Sequence, residues 1–229
     1  MKTKAETLVL KLSGSLFFSE NFHSIVKAIK ESLEKRPELR IVLIAGGGPK
    51  AREYIKIASG LRADQATLDE IGIMVSRINA MILAVSLGEF SQASVPESLG
   101  ALMDSLNGVR AVAMGGLHPG QSTNAVGAIA AEKAKALRFI NATDVDGVHT
   151  KDPRKFKDAR VVDRLTTKEL EKILGEESMQ AGAYDLMDPV ALKLVERSKI
   201  NTWIIKCAPK TIEAALLGKR LGGTEIVFD

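Results

Sequence analysis

The sequence predicts an α/β fold, a three-layer α/β/α sandwich built around a mostly parallel central sheet. Short β-rich runs alternate with longer segments of helical period, which is the pattern of repeated strand-helix units. The strand runs carry apolar stretches of several residues, which suit strands covered by helices on both faces. The chain has 229 residues, 45% hydrophobic and 26% charged, so it can bury a sizeable core and is neither a disordered tail, a fibrous repeat nor a low-complexity chain.

The elements follow in order. A strand over 7–13 (TLVLKLS) leads to a helix over 21–35, then a strand over 40–45 (RIVLIA) to a helix over 49–59. A long helix over 67–87 is expected to open with a capping box of Thr67 and Glu70, whose side chains satisfy free amides at the helix start. A strand over 109–114 (VRAVAM), a helix over 123–136 and a strand over 137–142 (LRFINA) come next. Thr166 and Glu169 form a second capping box before a helix over 167–174. Asp188 with Pro189 fits an N-cap and first-turn proline for a helix over 189–198. A strand over 201–206 (NTWIIK), a helix over 210–217 opened by Pro209 and closed by Gly218, and a strand over 224–228 (TEIVF) complete the pattern. No repeat or Pro/Gly/Ser-rich linker divides the chain, so residues 1–229 read as one domain, with a lobe division near 135 that falls inside one sheet.

The 32 Lys and Arg against 28 Asp and Glu leave +4, spread along the chain, which favours anionic ligands without demanding nucleic acid. Aromatics are only 4% and no basic stripe interleaves with them, so a base-stacking nucleic-acid platform is not indicated. The single cysteine, Cys207, follows a strand run and reads as a small buried hydrophobe in a reducing, cytoplasmic compartment. His23, His118 and His149 have no companions at metal-ligand spacing. The longest apolar stretches read as strand length and the start MKTKAET is charged, so no membrane anchor is expected.

Four segments carry chemistry. In LKLSGS (10–15) a strand bearing Lys11 runs into Ser13, Gly14 and Ser15, where ligands of open α/β sheets sit. In IVLIAGGGPKAREY a strand ends in Gly46, Gly47 and Gly48 and a helix begins at Pro49; bare backbone and a helix N-terminus suit phosphate, and Arg52 lies one turn in. This is neither a Walker A loop nor GxGxxG, and its bland alternative is a tight turn using three glycines. In MGGLHPGQSTNAV (114–126) the same strand, glycine turn and helix recur, with Ser122 and Thr123 able to do no more than cap the helix. In NATDVDGVHTKDPRKFKD (141–158) a strand leaves through Asp144, Asp146 and Gly147 into a basic stretch, which otherwise reads as turns and a solvated face.

In this order the segments, with LDEIGI, SRINA and MDPVALKLVERSKI, resemble the amino acid kinase superfamily, most closely the uridylate kinases of the archaeal type. The resemblance covers nearly the whole chain. It implies the amino acid kinase fold and transfer of the γ-phosphoryl group of ATP, carried with Mg2+, to UMP in pyrimidine biosynthesis. It also implies a cytoplasmic homohexamer, a trimer of dimers, with the helix at 67–87 in the dimer contact. Residues up to about 135 would form the UMP side and 136–229 the ATP side. Position by position, it implies that Lys11 neutralises the transferring phosphoryl and that Gly14 and Ser15 contact ATP phosphates. Gly47 contacts UMP, with Gly48 and Arg52 on the phosphate side of ATP. Asp69 contacts the UMP nucleoside, and Leu117, His118, Pro119, Gly120, Gln121, Ser122 and Thr123 wrap the UMP phosphate and base. Thr143, His149 and Asp152 match ATP-binding positions, and Asp146 matches the aspartate that orients lysine and phosphates. The family often has asparagine where Asp144 stands and tyrosine where His149 stands.

Two kinds of rival remain. Isopentenyl phosphate kinases share the fold but resemble GGGSFGH where this chain has GGGPKAR, and acetylglutamate, carbamate and aspartate kinases lack the combined motif set. A nucleotide-binding or metal-storage protein of the same fold is the non-catalytic alternative, opposed by the presence of Lys11 and Asp146 together.

Overall fold

The computed structural model describes residues 5–151, 156–177 and 186–228. Among these residues seven strands form one sheet: β1 (Glu6–Leu12), β2 (Leu39–Ala45), β3 (Ala111–Met114), β4 (Arg138–Thr143), β5 (Arg164–Thr166), β6 (Thr202–Lys206) and β7 (Thr224–Val227). Their spatial order is β3-β2-β1-β4-β6-β7-β5, parallel at every pairing except β6 with β7. The three strands from the first half of the chain lie together at one side, so the boundary between halves falls between β1 and β4 inside a continuous sheet.

Among the described residues, eight α-helices cover it: α1 (Phe22–Lys35), α2 (Gly48–Gly60), α3 (Gln65–Leu87), α4 (Leu99–Gly108), α5 (Thr123–Lys133), α6 (Thr167–Glu177), α7 (Pro189–Ser198) and α8 (Pro209–Leu216). Side-chain alternation sorts the two cores. Leu8, Leu10, Leu12, Ile41, Leu43, Ile140 and Ile205 point toward α1, α3 and α8. Val9, Val42, Ile44, Val112, Phe139 and Ile204 point toward α4, α5, α6 and α7. With both faces covered, neither side of the strands is turned to solvent, which is why they read as mostly apolar runs.

The helix caps explain most boundaries. Ser122 caps α5 by accepting from the amides of Asn124 and Ala125, and Asp188 caps α7 by accepting from those of Val190 and Ala191. The second expected capping box is present, with Thr166 N donating to Glu169 at 2.8 Å and Glu169 N to Thr166 Oγ1 at 3.2 Å. The first is corrected: α3 starts earlier, and Asp64 is its N-cap, accepting from Thr67 N at 3.0 Å and Thr67 Oγ1 at 2.9 Å. Thr67 is therefore a donor inside the helix instead of its cap.

The expectation that apolar stretches are only strand-long is also corrected. Residues Gln65–Phe90 are long and apolar enough to cross a membrane by length and composition. One side of α3 packs on β2 and β3 through Val75, Ala80, Leu83, Ala84 and Leu87. The other exposes Met74, Ile78, Met81, Ile82 and Val85, beside Tyr54, Ile57 and Leu61 of α2. At the amino-terminal half of β6, the guanidinium of Arg138 lies 3.6 Å from the ring centroid of Trp203.

Candidate active site

Because β1, β2, β3, β4 and β6 are mutually parallel, the turns that follow them meet at one edge of the sheet. The four segments singled out in the sequence are therefore brought together. Lys11 alternates with the core residues of β1 and faces the α5 and α7 layer; it is 7% exposed, so its ammonium is held beneath the turns instead of in solvent.

The turns after β1 and β2 touch through bare backbone. A Cβ at Gly14 would fall 2.1 Å from Gly48 N and 2.7 Å from Gly46 O, and one at Gly48 would fall 2.3 Å from Gly14 O. Gly48 also has φ +67°, a left-handed conformation that glycine alone adopts without strain. Two loops are thus pressed edge to edge, with the start of α2 and Arg52 beside them. From below, buried Asn79 of α3 donates its amide to Gly46 O at 2.8 Å and Gly47 O at 3.3 Å, fixing the direction of the glycine carbonyls.

The turn after β3 is held by the same helix. Ser76 Oγ accepts from Gly116 N at 2.8 Å, Arg77 Nε donates to Gly116 O at 3.1 Å, and Asp69 Oδ2 accepts from Gly120 N at 2.8 Å. Arg77 is itself paired with Glu97 at 2.6 Å. Leu117 is buried in the core, so only its backbone is available to a ligand, whereas His118, Pro119 and Gly120 are exposed. Ser122 donates its hydroxyl to Asp188 Oδ2 while accepting the α5 amides, which ties the starts of α5 and α7 together. Its proton is thus engaged within the protein, and Thr123 is the next hydroxyl along.

The turn after β4 contributes both signs of charge. Ser15 Oγ donates to Asp144 Oδ1 at 2.6 Å, and Lys206 of β6 donates to the Asp144 carbonyl. Thr143 turns its hydroxyl back onto the amide and carbonyl of Val145. Asp146 is largely exposed, with Oδ1 3.2 Å from His149 Nε2. Asp152 lies outside the described residues. Cys207 follows β6, and burial pushes its thiol up to about 11, so it is an inert neutral group.

Among the described residues, the buried side-chain atoms without a hydrogen-bond partner are Gln121 Oε1, Asn124 Oδ1 and Asn141 Oδ1. All are amide oxygens, and Gln121 and Asn124 flank the start of α5 while Asn141 lies near the carboxyl end of β4. Orphaned buried acceptors cluster where a ligand or ordered water supplies the donor. A nucleotide fits this requirement, since its ribose hydroxyls and base N–H groups are donors and its phosphates suit the glycine turns.

Sequence reasoning gave no site role to Asn124, Asn141 or Lys206, nor to Ser76, Arg77 and Asn79, which it quoted only within SRINA, nor to Asp188, which it read as a helix cap. The available signal was polarity out of place: Ser76 and Asn79 are three apart on the apolar side of α3, and Asn141 interrupts the strand LRFINA.

A family model described as the amino acid kinase family matches residues 6–206. A uridylate kinase of Sulfurisphaera tokodaii is 43% identical over 202 residues, 86% of this chain and 88% of that protein. One from Methanococcus maripaludis is 38% identical over 223 residues, 95% of this chain and 98% of that protein. The crystal structure of uridylate kinase from Archaeoglobus fulgidus superposes with a TM-score of 0.85 at 36% identity, covering 96% of this chain and 99% of that one.

Proposed function

The chain belongs to the amino acid kinase family, and from that premise we propose that it transfers the γ-phosphoryl group of ATP to UMP, giving UDP and ADP. The observation that carries the reading is the direct backbone contact of Gly14 with Gly48, in a chain whose relatives over 86% and 95% of its length are uridylate kinases. That contact brings two anion-compatible turns side by side, as a reaction between two phosphates requires.

In such a transfer the protein acts by positioning and charge neutralisation, with little covalent work. Lys11 and Arg52 offset charge on the transferring group, and the amides around Gly14, Ser15 and Gly48 hold donor phosphates. Gly47, Asp69 and the 117–123 turn take UMP, and Thr143, His149 and Asp152 take the ATP nucleoside side. Asp146 orients the lysine and phosphates, and the first half of the chain is the UMP side, the second the ATP side. Mg2+ bound to the ATP phosphates would further neutralise their charge. UMP arrives already ionised near neutral pH, so no general base is needed.

The exposed apolar stripe on α3 and α2 supports burial of that surface between subunits. We further take the assembly to be a homohexamer in the cytoplasm, serving pyrimidine nucleotide synthesis. The test is ADP release with Mg2+-ATP and a panel of UMP, CMP, dUMP, isopentenyl phosphate, acetylglutamate and carbamate. Turnover selective for UMP is expected; turnover only with another acceptor moves the substrate to a sister family, and ATP binding without turnover favours a storage or regulatory protein.

A further inference from the structure

We propose that Arg77 is a positioning residue for the acceptor turn after β3, holding two successive peptide groups so that their N–H ends face the UMP phosphate. The inference rests on the UMP reading above and adds a residue to it. Arg77 lies on α3, where the turn meets the helix through bare backbone: a Cβ at Gly115 would fall 2.6 Å from Arg77 N, and one at Gly116 would fall 2.8 Å from Ile73 Cγ1. Each nitrogen of the guanidinium is engaged within the protein. Nε donates to Gly116 O at 3.1 Å, Nη2 to Leu117 O at 3.4 Å and Nη1 to Glu97 Oε2 at 2.6 Å. The planar fork therefore spans two adjacent carbonyls while Glu97 fixes its remaining corner.

Two carbonyls drawn to one side have a consequence for the amides. A trans peptide is planar, with its C=O and N–H pointing in opposite directions. Gly116 O shares a peptide with Leu117 N, and Leu117 O shares one with His118 N, so both N–H groups face away from α3. An extended chain sends consecutive carbonyls to opposite sides. The fork holds these two on the same side, so two consecutive N–H groups point the same way, as in a backbone nest that takes an anion. Among the described residues neither amide has an acceptor, whereas the next two N–H groups do: Gly120 N serves Asp69 and Gln121 N serves His118 O. Ser76 Oγ accepts from Gly116 N at 2.8 Å, so the residue before the pair is fixed as well. Without Arg77, either peptide is free to turn over and offer its carbonyl oxygen to the phosphate, which would repel it.

The experiment replaces the fork by an uncharged chain of similar length. Arg77→Met in the full chain is expected to raise KM for UMP, and the UMP dissociation constant from titration calorimetry, at least tenfold, while kcat and KM for ATP stay within threefold. Arg77→Lys keeps the charge but offers one ammonium in place of the fork, so KM for UMP is expected to stay more than threefold high. Restoration by lysine to within threefold would show that charge alone acts on the phosphate, and would overturn the inference. So would a KM for UMP within threefold in the methionine variant, or KM values for UMP and ATP that rise together. Arg40→Met is the control: Arg40 Nη1 likewise donates to a backbone carbonyl, Leu106 O at 2.8 Å, at the far end of the strands, and its loss should lower the melting temperature with KM for UMP unchanged. An equal rise in KM for UMP there would reduce the effect to lost packing and overturn the inference. If the methionine variant does not fold, as judged by its melting curve, the lysine variant decides by the same threefold limit. Failure of the unaltered chain to phosphorylate UMP would bring down the functional reading and this inference with it. UMP turnover by the unaltered chain, with KM for UMP unchanged in the variants, would overturn this inference alone.

Discussion

Replacing Gly48 by alanine tests the claim that the two glycine turns are locked by backbone contact. The added Cβ would sit 2.3 Å from Gly14 O and 2.9 Å from Gly14 Cα, neither of which can rotate away as a side-chain tip would. Overpacking of this kind costs about 1–3 kcal/mol. The left-handed φ of +67° adds the clash between Cβ and backbone, about 1–2 kcal/mol. Together they predict a loss of about 2–5 kcal/mol, or a fall in Tm of about 4–20 °C for a chain of this size. The accompanying control is Gly60→Ala at the end of α2, where an added Cβ meets nothing within 4 Å. There the expected change is neutral or stabilising by up to about 1 kcal/mol. Differential scanning calorimetry at several scan rates reads both. A Gly48→Ala protein that melts within 1 °C of the unaltered chain and turns over normally would refute the argument, since the loops would then part without cost.

Further outcomes follow from the site. Lys11→Ala is expected to cut turnover about 10²–10³-fold, the usual loss on removing one preorganised group that stabilises developing charge. Arg52→Ala should likewise fall sharply with little change in melting, because Arg52 is exposed; normal kcat in both variants would remove them from the chemistry. Asp69→Asn loses the charged acceptor for Gly120 N and should raise KM for UMP about tenfold, leaving ATP nearly unchanged. The reverse pattern would mean that the two nucleotide sides are exchanged. The Cys207 thiol, raised by burial from 9.0 to about 11, should resist thiol reagents at pH 8 until the protein unfolds. The native state holds that proton more tightly, so the stability it confers is complete below about 9 and is lost as pH rises toward 11, which titrated denaturation curves would reveal.

Six of the seven described strands were legible because burial on both faces leaves them mostly apolar, with Lys11 and Asn141 as isolated interruptions. β5 was not: three residues at the sheet edge, beginning with Arg164, give too short a period to read. α4 escaped for a different reason, since only Leu102 and Leu106 among its residues are fully buried and two glycines dilute the pattern. At the start of α3 the reading rests on Thr67 with Glu70 alone, whereas the helix begins at Gln65 and its cap is Asp64, three residues before Thr67. The glycine turns of the site were readable because each follows a strand and opens a helix or a short helical turn. The side chains that hold those turns were not, since Asn79, Ser76 and Arg77 act across 30 to 40 positions of sequence, at distances only the fold defines.

The stacking of Arg138 on Trp203 has a practical side. This is the one tryptophan in the chain, and it lies near the start of β6, paired in register with Ile140, while the turns of the candidate site leave the opposite ends of the strands. Its indole N–H faces Glu225 of β7, so the fluorophore is enclosed by groups from three strands. Intrinsic emission will therefore report the parting of β4, β6 and β7 on denaturation and stay nearly silent as nucleotides load. Optical titrations of ligand need a different dye or label, whereas folding studies have a built-in probe without an engineered chromophore.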